Sequence, residues 1–507
     1  MTQGKVYLVG AGPGDPGLIT LKAVECLGAA EVVIYDHLAN PSLLDHARAG
    51  AELIYVGKEG SDHTLTQVEI NALMTDQALA GRVVVRLKGG DPCVFGRGGE
   101  EAEELAAAAV PFEIVPGVSS AVAAPAYAGI PVTHRAHASS VGFITGHEDP
   151  AKPDTALDWN KIATGFGTLV FLMGVKNLGA ITANLIQAGR DPATPAALIR
   201  WGTTPEQVTL TGTLADLAEL AAAKGLKPPA VLVVGEVVRL RDRLNWFERL
   251  PLFGRRLLVT RARAQASALT RKLAALGARV LECPTLEIVP PQDWWPVDQA
   301  LKGLAVFDWL VLTSPNGVDF FFDRLFHLGL DVRALAGLKL AAIGPATAGK
   351  IKGFGLILDL MPEAYVAEKL AEALIAAGAA GRRILLARAA AARDILPEEL
   401  KKAGAEVHEV VLYRTEAPDG LTQEAEKALT AGEIDLVTFT SSSTVTHLAA
   451  LLGPRAAGFQ TRVPAACIGP ITAATARQAG FRVAASARRY TLDGLVEAVV
   501  AYFTGAG

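Results

Sequence analysis

The second half of the chain repeats itself at a nearly constant spacing, and this repeat limits the possible folds more than any other feature. Three pairs of segments align at offsets of 127, 126 and 125 residues: 255–280 with 382–407, 307–318 with 433–445, and 341–350 with 466–475. Each segment contains an apolar run, which is followed by a hydroxyl- or glycine-rich loop or by a helical pattern. The repeat therefore predicts two copies of one βα module, as in flavodoxin-like sheets.

Hydroxyl side chains follow several of these predicted strands. They lie at 313–314 and 440–443, and Thr347 and Thr472 each follow an Ile-Gly-Pro sequence. A helix N-terminus binds anions, whereas simple N-capping would account for one hydroxyl per helix, and the sequence leaves both explanations open. No Ser/His/Asp set, Cys/His pair or metal cluster accompanies these hydroxyls, so covalent catalysis is not expected here.

The first half also alternates apolar runs with polar loops, and its pattern restarts near residue 142. The first four predicted strands are 5–9, 31–35, 53–56 and 83–85. Their ends are followed, in the same order, by Pro13, Asp36, Lys58 and Asp91. Ligands of open α/β sheets bind outside such carboxyl ends. We therefore expect two α/β lobes with a crevice between them, where Asp36 is an acid or base, a ribose ligand or a helix cap.

The loop within residues 86–99 is the clearest candidate site. Gly89 and Gly90 let the backbone approach a ligand, Asp91 offers a hydrogen-bond acceptor and Pro92 fixes the turn. An ordinary strand-to-helix turn explains the same residues equally well, because acidic residues follow at a predicted helix N-terminus.

Two further loops resemble ligand-binding turns. The turn at 10–15 is similar to a dinucleotide-binding loop, but its GxGxG spacing and Pro13 depart from GxGxxG. An NAD-dependent enzyme is therefore a disfavoured alternative. Ser119 and Ser120 lie at another predicted helix start, which either holds an anion or is simply capped by Ser119.

Composition sets the general class. A chain of 507 residues exceeds one compact core, so two functional units are expected. The net charge is −4, and we find neither a basic nucleic-acid footprint nor an apolar run long enough to span a bilayer. Four scattered cysteines without metal-ligand spacing fit a reducing cytoplasm. The first residues lead directly into a strand pattern and leave no room for a signal peptide.

Motifs in the first half resemble those of uroporphyrinogen-III C-methyltransferases. They are 9–20, Asp36, Lys58, 86–101, 115–135, 173–174 and 199–207, in the family's order. The resemblance covers residues 1–242 and implies a tetrapyrrole-methylase fold with lobes at about 1–115 and 116–242. It also implies that S-adenosylmethionine binds between the lobes and leaves as S-adenosylhomocysteine. Two methylations of uroporphyrinogen III would give precorrin-2, in a homodimer formed through this half.

The resemblance also assigns roles to individual residues. Asp36 and Lys58 would be the catalytic acid/base pair. The residues that would contact the methyl donor are Pro13, Gly89, Gly90, Asp91, Val94, Ser119, Ser120, Met173 and Gly202. A basic lining for the carboxylate-rich substrate would come from Arg86, Arg97 and Arg135. Cys93 departs from the family pattern, where an aromatic residue is expected.

Motifs in the second half resemble those of uroporphyrinogen-III synthases. They are 411–415, 439–445, 467–476 and 490–499, within a match that spans 253–507. The segment 243–252 would be the linker. The resemblance implies one lobe of residues 253–289 plus 416–507 and a second lobe of residues 290–415. Such an enzyme closes hydroxymethylbilane while inverting its last pyrrole ring.

In the second half the resemblance places Tyr413, Thr347 and Thr472 in the interlobe cleft. Tyr413 would assist departure of the substrate hydroxyl. The candidates for binding substrate carboxylates are Arg261, Ser314, Ser441 and Ser442. The absence of an acid/base signature leaves an alternative open, a methyltransferase fused to a non-catalytic, synthase-like sensor.

Both resemblances together predict a bifunctional α/β enzyme of the cytoplasm. The synthase half would make uroporphyrinogen III and the methyltransferase half would consume it, in the sirohaem or cobalamin branch. We expect small-molecule tetrapyrrole substrates and no metal, nucleic acid or membrane partner.

Overall fold

A computed structural model describes residues 4–57, 65–147, 157–260, 263–285, 287–391, 394–416, 418 and 420–505. The chain divides into two compact units. The first consists of residues 1–256, 271–280 and 503–507, and the second of residues 257–270 and 281–502. Among the described residues, no helix has the combination of length and apolar character needed to cross a bilayer.

The first unit contains two α/β lobes. The strands are β1 (Lys5–Gly10), β2 (Val32–Tyr35), β3 (Glu52–Tyr55), β4 (Val83–Lys88), β5 (Phe112–Val115), β6 (Val141–Thr145), β7 (Thr168–Leu172), β8 (Pro195–Arg200), β9 (Val208–Thr213) and β10 (Ala230–Val234). The helices are α1 (Leu21–Ala29), α2 (Gln67–Leu79), α3 (Gly98–Ala107), α4 (Ser120–Tyr127), α5 (Trp159–Gly165), α6 (Leu178–Gln187), α7 (Leu217–Ala223) and α8 (Arg241–Leu244).

The first sheet has the order β3-β2-β4-β1-β5, and its strand pairs are parallel. Alternate side chains of β4 reach opposite faces. Val84 packs on the α2 and α3 side, whereas Val85 and Leu87 pack on the α1 side. Since the strands are parallel, their carboxyl ends share one edge, as the sequence predicts. Lys58, expected at this edge, lies outside the described residues.

The second sheet has the order β6-β7-β10-β8-β9. Only β6 and β7 pair in parallel, and the other neighbours are antiparallel. Strand β9 is not predicted by the sequence pattern, because this edge strand alternates threonines with few apolar residues and buries only Leu210. Helix α4 packs on this sheet through small side chains, among them Ala121 and Ala124 against Val170 and Val233.

The segment after β10 packs onto the first unit. Phe247 is buried, and the Trp246 indole N–H donates to the Ala126 carbonyl at 3.2 Å. Both rings lie edge-on to Tyr127, with centroid distances of 4.8 and 5.0 Å. Aromatic pairs of this geometry stabilise a packed interface, so this segment forms the tail of the first unit.

The repeat appears as two similar sheets. The remaining strands are β11 (Arg256–Val259), β12 (Arg279–Glu282), β13 (Glu287–Val289), β14 (Trp309–Leu312), β15 (Lys339–Ala342), β16 (Arg383–Ala389), β17 (Glu406–Glu416), β18 (Leu436–Phe439), β19 (Ala465–Cys467) and β20 (Val483–Ser486). The remaining helices are α9 (Arg263–Ala274), α10 (Trp295–Lys302), α11 (Pro315–His327), α12 (Pro345–Gly353), α13 (Ala367–Ala376), α14 (Ile395–Lys402), α15 (Gln423–Ala431), α16 (Ser442–Leu452), α17 (Ala456–Arg462), α18 (Pro470–Gln478) and α19 (Leu492–Thr504).

The order of strands confirms the internal repeat. One sheet runs β12-β11-β18-β19-β20 and the other β13-β17-β16-β14-β15. The aligned segments occupy equivalent places, because β12, β11, β18 and β19 correspond in order to β17, β16, β14 and β15. Strand β13 pairs antiparallel with β17, so residues 287–289 belong to the sheet of the second lobe, slightly before the boundary expected at 290.

Candidate active sites

Asp91 fastens the loop after β4 to the loop after β5. Its Oδ1 accepts a hydrogen bond from the Cys93 N–H at 2.8 Å, and its Oδ2 accepts one from the Gly117 N–H at 3.1 Å. The Gly90 N–H in turn donates to the Gly12 carbonyl at 2.7 Å. Three strand ends are therefore joined, by the Asp91 carboxylate and by a backbone hydrogen bond, which is more than an ordinary strand-to-helix turn requires.

Glycines allow these strand ends to touch. A Cβ on Gly117 would lie 2.3 Å from the Gly90 carbonyl oxygen, and one on Gly10 would lie 2.5 Å from the Gly117 Cα. A Cβ on Gly90 would meet nothing closer than the backbone of Ser119 and Ser120, at 3.8–3.9 Å. Ser119 caps α4 by accepting from the Ala121 N–H at 3.2 Å. Ser119 therefore acts as a helix cap, which is one of the two explanations that the sequence left open, and it lies beside the open face of Gly90.

Strained residues cluster in the loops that the sequence singled out. Positive φ angles at non-glycine residues cost about 1–2 kcal/mol each and persist where the surroundings enforce them, often at binding sites. The described non-glycine residues with positive φ are Phe95, Arg97, Met173, Trp201, Thr203 and Ala109. All but Ala109 lie in or beside three predicted ligand loops. Met173 is half exposed, so it does not belong to the core.

The loop after β1 is attached to the loop after β8. The Asp15 N–H donates to Thr203 Oγ1 at 3.0 Å, and the Tyr127 hydroxyl donates to Asp15 Oδ2 at 2.7 Å. Burial, with a smaller contribution from Asp15, raises the pKa of the Tyr127 phenol. A Cβ on Gly202 would lie 2.3 Å from the Ala124 Cβ. The half-buried Pro13 and Gly202 therefore lie on loops that meet each other.

The tail after β10 supports the same loop. The Thr203 N–H donates to Gln207 Oε1 at 2.9 Å, and Gln207 Nε2 donates to Glu248 Oε1 at 2.9 Å. Glu248 also pairs with Arg241. The sequence does not reveal Tyr127, Thr203 and this chain of contacts, because single polar residues carry no pattern that indicates a distant partner.

Asp36 lies at the end of β2 and is partly exposed. Its Oδ1 accepts from the Leu38 N–H at 3.1 Å and its Oδ2 from Arg86 Nη2 at 3.2 Å. Arg86 is only 4% exposed, and its other donors go to protein groups. The structure therefore places Arg86 behind Asp36 and not on a substrate-facing surface, because the arginine lies on the α2 and α3 face of β4.

Arg97 and Arg135 are exposed, as a substrate lining requires. Arg97 pairs with Glu100 at 2.6 Å. Lys88, on the same strand as Arg86, is buried and donates to Glu101 Oε1 at 2.6 Å. Burial, with a smaller contribution from Arg86, lowers the pKa of Lys88. The remaining donor-binding candidates with no contact described so far, Gly89 and Val94, are half-buried at the start of the Asp91 loop and within it.

In the second unit Tyr413 is nearly buried. Its hydroxyl donates to Ser314 Oγ at 3.0 Å, and its ring stacks on Phe320 with a centroid distance of 5.7 Å. Ser314 Oγ also accepts from the Gly317 N–H at 2.9 Å and so caps α11. The structure brings Tyr413 and Ser314 together, at a helix N-terminus.

Thr347 and Thr472 occupy equivalent positions in the repeat. Each is the third residue of its helix, α12 or α18, and each is about 95% buried or more. The residues that precede these helices, Gly344 and Gly469, offer no side-chain cap. The first N–H groups of both helices are therefore not satisfied by a cap, and such groups bind anions.

The serines at the start of α16 contact one another and α18. Ser441 Oγ accepts from the Thr444 N–H at 3.4 Å and lies 2.9 Å from Ser443 Oγ, while Ser442 Oγ lies 2.8 Å from Thr475 Oγ1. Capping thus explains Ser441 but not Ser442. Arg261 lies outside the described residues. Within the described part of the chain, no group of three or more His, Cys, Asp or Glu side chains has the arrangement of a metal site.

Two family models match successive parts of the chain. A model of the tetrapyrrole (corrin/porphyrin) methylases matches residues 5–218, and a model of uroporphyrinogen-III synthase HemD matches residues 267–497. The chain is 39% identical to the porphyrin biosynthesis protein HemD of Ruminiclostridium josui over 497 residues. This alignment covers 98% of both proteins. It is 42% identical to a uroporphyrinogen-III C-methyltransferase of Bacillus subtilis, over 72% of this chain and 74% of the relative.

Solved structures also resemble each half. A uroporphyrin-III C-methyl transferase from Thermus thermophilus, complexed with S-adenyl homocysteine, is 41% identical over 46% of this chain and 99% of that chain, with a TM-score of 0.40. A mutant uroporphyrinogen III synthase from Thermus thermophilus is 20% identical over 50% of this chain and 99% of that chain, with a TM-score of 0.35.

Proposed function

Because the chain belongs to the porphyrin biosynthesis proteins that join a tetrapyrrole methylase to a HemD uroporphyrinogen-III synthase, we propose that it makes uroporphyrinogen III and converts it to precorrin-2. The protein is a bifunctional enzyme of tetrapyrrole biosynthesis, with methyltransferase and synthase domains. The two proposed reactions are the closure of hydroxymethylbilane with inversion of ring D, and two successive methylations of the product.

The observation that carries the methyltransferase proposal is the glycine cradle of Gly10, Gly90 and Gly117 at the open edge of the first sheet. S-adenosylmethionine, when bound, supplies an electrophilic methyl group. The groups around the cradle suit such a molecule, because backbone amides and the hydroxyls of Ser119 and Ser120 match its carboxylate and ribose. The exposed Met173, held at positive φ, offers a soft thioether.

The proposed roles of the other residues follow from exposure and charge. Pro13, Gly89, Asp91, Val94 and Gly202 would shape the donor site, because they lie on the joined loops described above. The partly exposed Asp36 would accept the proton that the substrate loses, with Lys58 as its partner. Exposed Arg97 and Arg135 would bind substrate carboxylates.

In the second unit we propose that the uncapped N-termini of α12 and α18, with Thr347 and Thr472, bind carboxylates of the bilane. Tyr413 would turn its O–H from Ser314 Oγ to the departing hydroxyl, and the Ser314 hydroxyl would then donate to the phenol oxygen and hold it in place. Arg261, Ser441 and Ser442 are further proposed carboxylate contacts. The main contribution of the protein would be to fold the bilane for ring inversion. Homodimerisation, a cytoplasmic location and the sirohaem or cobalamin end pathway stay predictions.

Two substitutions in the full chain test this division of roles. Asp91→Ala removes the carboxylate that accepts hydrogen bonds from the Cys93 and Gly117 amides. We expect it to abolish methylation while uroporphyrinogen III still forms from hydroxymethylbilane. Tyr413→Phe removes one hydroxyl, and we expect slower ring closure with unchanged methylation of added uroporphyrinogen III. Full methylation by Asp91→Ala, or full synthase activity in Tyr413→Phe, would contradict the corresponding assignment. Circular dichroism of both variants checks that they are folded.

A further inference from the structure

A buried network of charges lies directly behind Asp36. Arg86 and Lys88 are two residues apart on β4 and therefore lie on the same face, so both side chains point toward α2 and α3. There Glu101 of α3 receives three donors on Oε1, from Lys88 Nζ at 2.6 Å, Gln67 Nε2 at 3.1 Å and Arg86 Nε at 3.4 Å. Glu101 has no exposed surface, and Arg86 and Lys88 are only 4–5% exposed.

Stability alone does not account for this network. Each buried charge loses several kcal/mol of solvation, and well-packed apolar residues are often as stabilising or more so. The same face of β4 carries such an apolar residue two positions earlier, at Val84. Glu101 Oε2 is buried without a hydrogen-bond partner among the described residues, which adds a further cost. The charges therefore have a use that an apolar core would not provide.

Arg86 connects this network to the open edge of the sheet. Its Nη2 donates to Asp36 Oδ2 at 3.2 Å, while its Nη1 donates to the Ile34 and Leu87 carbonyls at 3.4 and 3.2 Å. With Nε on Glu101, the planar guanidinium is held on several sides, and this fixed fork determines where the Asp36 oxygen lies. Asp36 itself retains about a fifth of its side-chain exposure and so remains accessible.

We propose that Arg86 is a positioning residue for Asp36, and that Glu101 and Lys88 hold Arg86 in place for this task. The inference rests on the proposed function, in which a pyrrole carbon takes the methyl group, the carbon–sulfur bond of the donor breaks and the substrate then loses one proton to Asp36. Arg86 takes no part in the bond changes. It fixes the carboxylate from the interior, so that the accepting oxygen is aligned when the proton leaves.

Substitutions of Arg86 test the inference in the full chain. Arg86→Gln removes the charge, and Arg86→Lys keeps it but cannot bridge Glu101, Asp36 and two carbonyls with one nitrogen. We expect both to lower kcat for methylation on the order of a hundredfold, the effect of a misplaced catalytic group, with KM for the donor and affinity for S-adenosylhomocysteine unchanged. Arg82→Lys is the matched control. It changes the arginine just before β4, which pairs with Glu52 at 2.7 Å, and it should behave as wild type.

A double-mutant cycle with Asp36→Asn separates positioning from general support of the fold. If Arg86 acts through Asp36, Arg86→Gln causes no further loss of kcat in the Asp36→Asn background. Equal losses in both backgrounds, or wild-type kcat in Arg86→Gln and Arg86→Lys while Asp36→Asn is impaired, would overturn the inference and leave the proposed function intact. Wild-type kcat in Asp36→Asn would overturn the assignment of Asp36 itself. Unchanged binding of S-adenosylhomocysteine and the circular dichroism of each variant report whether the first unit has folded, and uroporphyrinogen III formation reports the same for the second unit.

Discussion

A single methyl group added at Gly117 tests whether the contact between strand ends forms the donor site. The Cβ of Gly117→Ala would lie 2.3 Å from the Gly90 carbonyl oxygen and 2.7 Å from the Gly10 Cα. Real Cβ atoms stay at least 3.0 Å from such neighbours, so the Gly90 loop must move by at least the difference, 0.7 Å. Both neighbours are backbone atoms of strand ends, and no flexible side chain can absorb the shift.

The expected size of the effect follows from the cost of overpacking, typically about 1–3 kcal/mol. If the loops separate to relieve the clash, ligand binding must close them again and restore that strain. Since about 1.4 kcal/mol corresponds to a factor of ten in affinity, S-adenosylhomocysteine should bind roughly tenfold to a hundredfold more weakly.

Isothermal titration of the full-length protein with S-adenosylhomocysteine measures this change. Gly99→Ala is the matched control, because Gly99 lies in α3 and a Cβ there would meet nothing within 4 Å. Synthase activity on hydroxymethylbilane should be normal in both variants. Wild-type affinity in Gly117→Ala would refute the reasoning, since it would show that the contact of the strand ends is irrelevant to the donor.

Three further outcomes are expected. In the native protein the exposed Cys93 should react with a thiol reagent at pH 8, and the buried Cys26, Cys283 and Cys467 only after unfolding, because the reagent cannot reach a buried thiol. Burial also raises the pKa of Cys283 to about 12 and that of Cys467 to about 11. Reaction of several thiols in the native protein would contradict this packing. Phe322→Ala should destabilise the second unit by about 3–5 kcal/mol in urea unfolding, since this ring is buried and stacks on a neighbouring phenylalanine; a loss below about 1 kcal/mol would contradict this. Tyr127→Phe should lose about 1 kcal/mol of stability and weaken S-adenosylhomocysteine binding, because Asp15 loses its donor; unchanged binding would separate this contact from the site.

The repetitive and periodic features of the fold could be predicted from the sequence. The spacing near 126 residues predicted two equivalent modules, and their strand orders agree. The apolar runs of the first half likewise predicted strand ends that meet at one edge. Strand β9 escaped prediction, because its pairing with β8 depends on tertiary context and not on an apolar pattern.

The site was predicted in its loops but not in its internal contacts. Gly90 and Asp91 lie at the predicted edge, yet one of the two partners of Asp91 is the Gly117 amide, which is 26 residues away. Arg86 illustrates the limit most clearly. Its charge suggested a substrate contact, whereas its register on β4 directs it toward Glu101. The signal available in the sequence was its position inside an apolar run, which indicates a buried charge that needs a partner.

The most direct test of a two-reaction enzyme is the product that the full chain makes from hydroxymethylbilane, with and without S-adenosylmethionine. Without the donor we predict uroporphyrinogen III. With the donor we predict a dimethylated product that has the dihydro-chlorin-type chromophore of precorrin-2. Formation of only the type I isomer, which arises by non-enzymatic closure, would contradict the synthase assignment and favour a binding module in the second half. Accumulation of uroporphyrinogen III in the presence of donor would contradict the methyltransferase assignment.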